Sequence, residues 1–500
     1  MKPLDRIRDY ILWGRLAEGG MGDVWLARHA GLGVPVVLKT LKSLAGIEDG
    51  TRFERLVSEG RLEARISSPH IVRIYDMGTH EGAPFLVQEY VDGLDVRELA
   101  QGRKQAMGRS FPLWFVCEVV AQTAHALEAA HRTGVIHRDV KPSNILGTGL
   151  DFKLGDFGLA IDSPRSPMAE HLGGTPLFMS PEAMRGARGD RRTDLFSLGA
   201  TAFVLRYGHV PFSSVADTLS SDPARFPRAR SPEEAAFQEL VGRMLAKQPE
   251  ERPSDMVEPR RVFADLASVA RTPAPCARRM DGSYILRDTS LSCEVGDIAA
   301  QKAAGIVNSA NFELKMRHGV AGALREAGGE AIEEEAMAGG QRPLGACVVT
   351  GAGRLRATHV LHAVCAWEAA SCVGRAMQAT LLEAERLGLT SLAIPALGTG
   401  AAGVTLETAA AAIATAVRTH VLLAGSKLDQ VSFVLQDAEK LRVFRDVFES
   451  VFLSEGGAVA DAGLPVSEPD FEATTVAANA RSASRALAPS KAQPPRVDRE

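Results

Sequence analysis

A chain of 500 residues with 45% hydrophobic content exceeds what one core supports, because single cores stop growing at roughly 250–300 residues and longer chains divide. The formal net charge of −4 is small for that length, so no global field draws the protein to nucleic acid or to an anionic membrane, and partners must be found through sites. Six cysteines without zinc-type or disulfide-framework spacing suit a reducing compartment, and the absence of a signal-like N-terminus or an 18-residue apolar run predicts a cytoplasmic protein.

In chain order, Val34–Leu38 and Pro84–Tyr90 are short, apolar and β-branched, as strands are. From Leu113 onward the pattern turns helical: Leu113, Val116, Val120, Ala124 and Leu127 recur every three or four residues, and Gly134 supplies a stop. A strand-rich lobe therefore precedes a helical lobe over residues 9–267. Residues 268–280, with two prolines and no apolar periodicity, read as a linker. Residues 281–450 alternate strand-like runs (Gly305–Asn308, Ala357–Ala363, Ser391–Pro395, Gln430–Leu435) with amphipathic helices, which predicts an α/β/α three-layer domain. Residues 455–500 shift to Ala, Ser, Pro and charge; such a segment cannot bury enough apolar surface to offset chain entropy, and a disordered tail is expected.

The first chemical signal is the turn Leu16–Trp25, where Gly19, Gly20 and Gly22 would let backbone amides approach phosphate oxygens. Lys39 follows at a strand end, and Glu59 lies on a helix-like stretch ten residues before Pro69, where a pairing carboxylate belongs. The segment Val135–Leu146 is more specific. Asp139 stands five residues before Asn144, and Asp156-Phe157-Gly158 begins twelve residues after Asn144, so a base and two magnesium ligands converge on adjacent loops. The chemistry needs these types: a carboxylate to accept the hydroxyl proton, and hard oxygens on Asp156 and Asn144 for Mg²⁺.

On these motifs residues 9–267 resemble the eukaryotic-like Ser/Thr protein kinases of bacteria, and the resemblance implies a two-lobed α+β fold that uses ATP and Mg²⁺ on Ser/Thr of protein substrates. It implies that Lys39 and Glu59 pair, that Lys141 assists the base Asp139, and that Val24, Val37 and Leu146 enclose adenine beside the gatekeeper Gln88 and hinge residues Glu89 and Val91. It further implies that Glu182 pairs with Arg252 and that Asp194 anchors the catalytic loop. Three positions depart from the pattern: Ala17 replaces the first loop glycine, Val37 replaces the usual alanine, and the activation loop offers Ser163 and Ser166 where threonines are usual. In such kinases the arginine before the base, here Arg138, pairs with a phosphorylated activation loop.

In the second block, Gly305–Asn311 followed by Gly319–Leu324, and later Ile394–Gly403, are strands running into small-residue loops that open helices, an outline that suits phosphate. The stretch 281–450 resembles the macro domain, the ADP-ribose-binding fold. By that resemblance Asp297, with Ile298 beside it, would bind adenine, Asn311 would contact the distal ribose, and Gly319, Val320, Gly398, Thr399, Gly400 and Ala401 would hold the diphosphate. Arg317 and His318 stand where further glycines are usual, and Ala321 stands where hydrolytic relatives carry aspartate. A reader of free ADP-ribose or of ADP-ribosylated proteins, recruiting or regulating the kinase, is therefore expected. The competing expectations are a dual enzyme that also hydrolyses ADP-ribosyl bonds and a non-catalytic nucleotide-sensing scaffold.

Overall fold

The computed structural model describes residues 3–19, 22–40, 60, 64–157, 177–187, 189–271, 276–367 and 370–453. Glu59, Gly20, Gly158, Ser163, Ser166 and the segment read as a tail lie outside the described residues.

The first lobe is a six-stranded antiparallel sheet in the order β1-β2-β3-β4-β6-β5, from β1 (Arg6–Ile7), β2 (Tyr10–Gly19), β3 (Gly22–His29), β4 (Pro35–Thr40), β5 (Ile74–His80) and β6 (Ala83–Glu89). Register places Val24 opposite Lys39, Lys39 opposite Leu86, and Val37 opposite both Leu26 and Gln88. Directly opposed residues share a face and side chains alternate along a strand, so Val24, Val37, Lys39 and Gln88 all stand on one face of the sheet.

The second lobe contains α1 (Val96–Met107), α2 (Leu113–Arg132), the hairpin β7 (Ile145–Thr148) and β8 (Asp151–Leu154), α3 (Pro181–Met184), α4 (Arg192–Tyr207), α5 (Val215–Leu219), α6 (Pro232–Met244) and α7 (Val257–Ala270). A reciprocal capping box starts α1: Asp95 accepts from the Glu98 amide, and Glu98 accepts from the Asp95 amide. Gly108, at φ 65°, ends it in the left-handed conformation that glycine adopts freely. The buried face of α2 includes Val116, Val120, Ala124 and Leu127, four of the five positions its periodicity marks; Leu113, the fifth, is half-buried.

Within the segment read as a linker, α7 continues to Ala270, and β9 (Cys276–Arg278) pairs with β10 (Tyr284–Leu286). These strands join β11 (Thr289–Val295), β12 (Gly305–Ala310), β13 (Cys347–Gly351), β14 (His359–Val364), β17 (Ser391–Ile394) and β18 (Gln430–Leu435) in a mixed sheet ordered β13-β14-β12-β17-β18-β11-β10-β9. The five strands β14 through β11 in that order are mutually parallel. Around them lie α8 (Gly319–Gly328), α9 (Ala331–Met337), the small ribbon β15 (Ala366–Trp367) and β16 (Ala370–Ser371), α10 (Val373–Leu387), α11 (Leu406–Leu422) and α12 (Ala438–Leu453).

The kinase-like and macro-like halves belong to one compact unit, residues 1–457. One apolar cluster runs without a break from Phe111, Phe115 and Phe152 in the helical lobe to Leu381, Val417 and Phe433 in the second half. Among the described residues no helix is long and apolar enough to cross a membrane.

Candidate functional sites

The loop between α2 and β7 is held from beneath by one buried carboxylate. Asp194, in the first turn of α4 and fully buried, accepts from the amides of His137 (2.9 Å) and Arg138 (2.8 Å) and lies 2.7 Å from His131 Nε2. His137 Nε2 in turn lies 3.0 Å from the Gly155 carbonyl, tying this loop to the next. Arg138 and Asp156 both have positive φ, 66° and 61°, a conformation that side chains other than glycine adopt at a cost and that tertiary bonds must hold.

On that base sit the reactive groups. Lys141 Nζ donates to Asp139 Oδ2 at 2.7 Å, and Asn144 Nδ2 donates to the Asp139 carbonyl at 2.7 Å and to its carboxylate at 3.1 Å. The Gly155 amide donates to the Asn144 carbonyl at 2.8 Å, which fixes Asp156 relative to Asn144. Lys39 reaches from β4 to pair with the Asp156 carboxylate. Burial pushes the Asp156 carboxyl up, but the Lys39 ammonium outweighs it and holds the group below its ordinary range, hence ionised at neutral pH. A half-buried carboxylate on Asp156, with the side-chain amide oxygen of Asn144, is a hard-oxygen set that suits Mg²⁺. Leu146 lies on β7, Gln88 and Glu89 end β6, and Val91 follows in the hinge; Glu89 pairs with Lys153. Farther out, Arg252, whose side chain is fully buried, holds Glu182 in a bidentate pair at 2.7 and 2.8 Å.

The second candidate site lies at the C-terminal ends of β11, β12 and β17, the side of an α/β sheet whose crevice takes ligands. Asp297 follows β11; its carboxylate accepts from the Ala299 amide at 2.9 Å while the residue stays exposed, with Ile298 buried behind it. Asn311 follows β12, donating weakly to the Lys315 carbonyl at 3.4 Å, and its buried Oδ1 has no hydrogen-bond partner among the described residues. Gly319 and Val320 open α8, with Gly319 at φ 61°; Arg317 and His318, just before them, are exposed. After β17, the Gly403 amide bonds the Gly400 carbonyl and the Val404 amide the Gly398 carbonyl, closing a loop that carries Thr399 and Ala401. Among the described residues a β-carbon on Gly400 would meet nothing within 4 Å. The Gly398 amide donates to Ser309 Oγ at 3.1 Å, tying this loop to the end of β12. Ser309 was not singled out by the sequence; its position within the Gly305–Asn311 run is the only sign of it.

Sequence comparison agrees with this division. A model described as protein kinase domain matches residues 10–263, and one described as macro domain matches residues 307–413. Residues 10–263 make up half of the chain, and the protein belongs to the protein kinase family, with a macro domain in its second half. Similar curated proteins include the serine/threonine-protein kinase pkn3 of Myxococcus xanthus, 36% identical over 270 residues, with 49% of this chain and 47% of that protein covered. Another is the serine/threonine-protein kinase PknL of Mycobacterium tuberculosis, 35% identical over 285 residues, with 53% of this chain and 69% of PknL covered. The chain thus spans about half the length of pkn3. Among solved structures, the M. tuberculosis PknI kinase domain is 29% identical, covering 54% of this chain and 99% of that one at a TM-score of 0.44.

Proposed function

We propose that this protein transfers the γ-phosphoryl group of ATP to Ser or Thr hydroxyls of protein substrates, and that its macro domain binds ADP-ribose. The observation that supports the first part best is the hold on Asp139: Lys141 and Asn144 fix its carboxylate, while Lys39 and Asp156 stand paired beside it. In the reaction the substrate hydroxyl oxygen bonds to the γ-phosphorus, the bond to the leaving ADP oxygen breaks, and Asp139 accepts the hydroxyl proton. Lys141 places a positive charge next to that carboxylate, where charge gathers on the transferring group. Lys39 exchanges its carboxylate partner for the α and β phosphates, with Glu59 as its counter-ion. Asp156 and Asn144 would hold Mg²⁺, which when bound neutralises phosphate charge. Gly19, Gly20, Gly22, Val24, Val37, Glu89, Val91 and Leu146 would enclose the nucleotide.

For the macro domain, the support is the buried Asn311 Oδ1, unpartnered among the described residues, beside two small-residue loops at the strand ends. That acceptor suits a ribose hydroxyl, and the backbones of Gly319, Val320 and Gly398–Ala401 suit a diphosphate. Ala321, buried on α8, offers no carboxylate to activate water, so binding is favoured over hydrolysis.

Asp139→Asn is expected to lower phosphate incorporation into a generic basic protein by roughly 10²–10⁴-fold while ATP still binds; equal incorporation by the two proteins refutes the assignment. Calorimetry with ADP-ribose on the full chain tests the second part. Asp297→Ala is expected to weaken binding by about 1.5–3 kcal/mol, the scale of a hydrogen bond to a charged group.

A further inference from the structure

The macro domain touches both kinase lobes and the hinge between them. One of its contacts with the strand lobe is at β2, where Leu344, buried, fills the space a side chain at Gly14 would need: a β-carbon there would lie 2.6 Å from Leu344 Cδ1. At the hinge, α10 begins without a side-chain cap of its own, and the kinase supplies one. Asp92 accepts from the Gly374 amide at 2.8 Å and the Arg375 amide at 3.0 Å, the arrangement of an N-cap delivered from another domain. Arg375 returns the contact, donating to the Gly93 carbonyl at 3.1 Å and to Glu98 at 2.8 Å, and Gln378 Oε1 accepts from the Leu94 amide at 2.7 Å.

On the helical lobe the same relation appears with opposite charge. Arg103 of α1 donates to the carbonyls of Leu423 (2.8 Å) and Ala424 (2.7 Å) at the C-terminal end of α11. A carboxylate at a helix N-terminus and a guanidinium at a helix C-terminus both match the helix dipole. Glycines allow the close approach: a β-carbon on Gly102 of α1 would lie 2.6 Å from Leu382, and one on Gly374 2.6 Å from the Asp92 carbonyl. Capping, charge and small residues on both sides describe an interface built for this partner.

The helix that docks on the hinge also touches the macro crevice. Val373, the first residue of α10, is buried against the second glycine loop, its Cγ2 only 3.3 Å from where a β-carbon on Gly398 would stand. From Val373 to the residues bonded by Asp92 is one and two positions along the chain. Close-packed groups do not absorb a displacement; they pass it on. We propose that the macro domain acts as a third lobe clamped across the kinase hinge, and that α10 couples occupancy of its crevice to the nucleotide affinity of the kinase. The ligand of this coupling rests on the ADP-ribose reading above; the clamp does not.

The test uses the full chain. Calorimetry first establishes whether ADP-ribose binds. If it does, saturating ADP-ribose is expected to change the Kd of a non-hydrolysable ATP analogue by about threefold or more, and the analogue must change the ADP-ribose Kd by the same factor. The double variant Arg375→Ala, Gln378→Ala is expected to bring that factor toward one while ADP-ribose still binds. Binding of ADP-ribose with no effect on the analogue, or coupling undiminished in the double variant, overturns the proposal. If ADP-ribose does not bind, the reading of the crevice fails, and hydrogen exchange judges the clamp by itself. The double variant should then speed exchange of the Leu94 amide and alter the KM for ATP, and unchanged values for both would refute the clamp.

Discussion

Single buried charges carry much of the kinase half. Glu182 and Arg252 lie 70 residues apart in sequence, yet the guanidinium is fully enclosed and spends its remaining donors on the Ala246, Arg192 and Lys247 carbonyls. Burial pushes the Glu182 carboxyl up, and the Arg252 hydrogen bonds more than reverse this, leaving it below its ordinary value of 4.5. A depressed folded-state pKa contributes stability that is present above the unfolded value and lost as pH falls through the folded one, so this pair weakens only below about pH 4.5. Glu182→Gln should destabilise by roughly 3–5 kcal/mol at pH 7, because Arg252 is left buried without its counter-charge. Denaturant unfolding at pH 7 and pH 3.5 checks this: the difference between wild type and variant should shrink at the lower pH. The pairing was legible in the sequence only through family resemblance. The full burial of Arg252, which sets the size of the effect, was not.

At the scale of elements, α1 and α10 show local preference and tertiary demand pulling apart. The capping box of α1 is readable as Asp95 followed three residues later by Glu98. The structure adds Arg375 to it, and burial together with the nearby Glu98 charge pushes the Asp95 carboxyl up to about 6, against the Glu98 amide bond and the charges of Arg97 and Arg375. A raised carboxyl favours the folded state at low pH, an advantage lost as pH rises through about 6. Asp95→Asn keeps a good cap without the charge, so it should be neutral to stabilising at pH 7 and should flatten the dependence of stability on pH between 4 and 6. A loss of more than about 1 kcal/mol at pH 7 would show that the charge is needed.

In α10 the conflict is steric. Helix propensity alone predicts that Gly374→Ala stabilises by up to about 1 kcal/mol. The new β-carbon would lie 2.6 Å from the Asp92 carbonyl, backbone that cannot rotate aside, so the expected result is a lower Tm and faster exchange of the Leu94 amide. An unchanged or raised Tm would mean that α10 does not dock this closely.

Over the whole molecule, the continuous apolar cluster decides how the protein unfolds. Two halves with no shared core would melt separately, but residues of α2 and of α10, α11 and β18 share one cluster, and kinase side chains cap two macro helices. Calorimetry of the full chain is expected to show a single cooperative transition covering both halves, shifted upward as a unit by an ATP analogue that binds the kinase half. Two resolved transitions, only one of which moves with the analogue, would contradict this.

Much of the protein was decided by sequence alone. Asp139, Asn144 and Asp156 fall on adjacent loops because their spacing is short and the chemistry tolerates few residue types; Asn311 and the loop after Ile394 follow strand ends that their apolar runs mark, whereas β11, which leads to Asp297, carries no apolar run to announce it. What the sequence did not reveal is that the two halves are one body. Asp92 and Gly374, or Arg103 and Leu423, are separated by hundreds of residues, and each looks like an ordinary surface or loop position until the fold brings it to a helix end. Periodicity and motif spacing report interactions within a segment; the partner of a helix terminus across a domain boundary is set by packing, and only the tertiary structure fixes it.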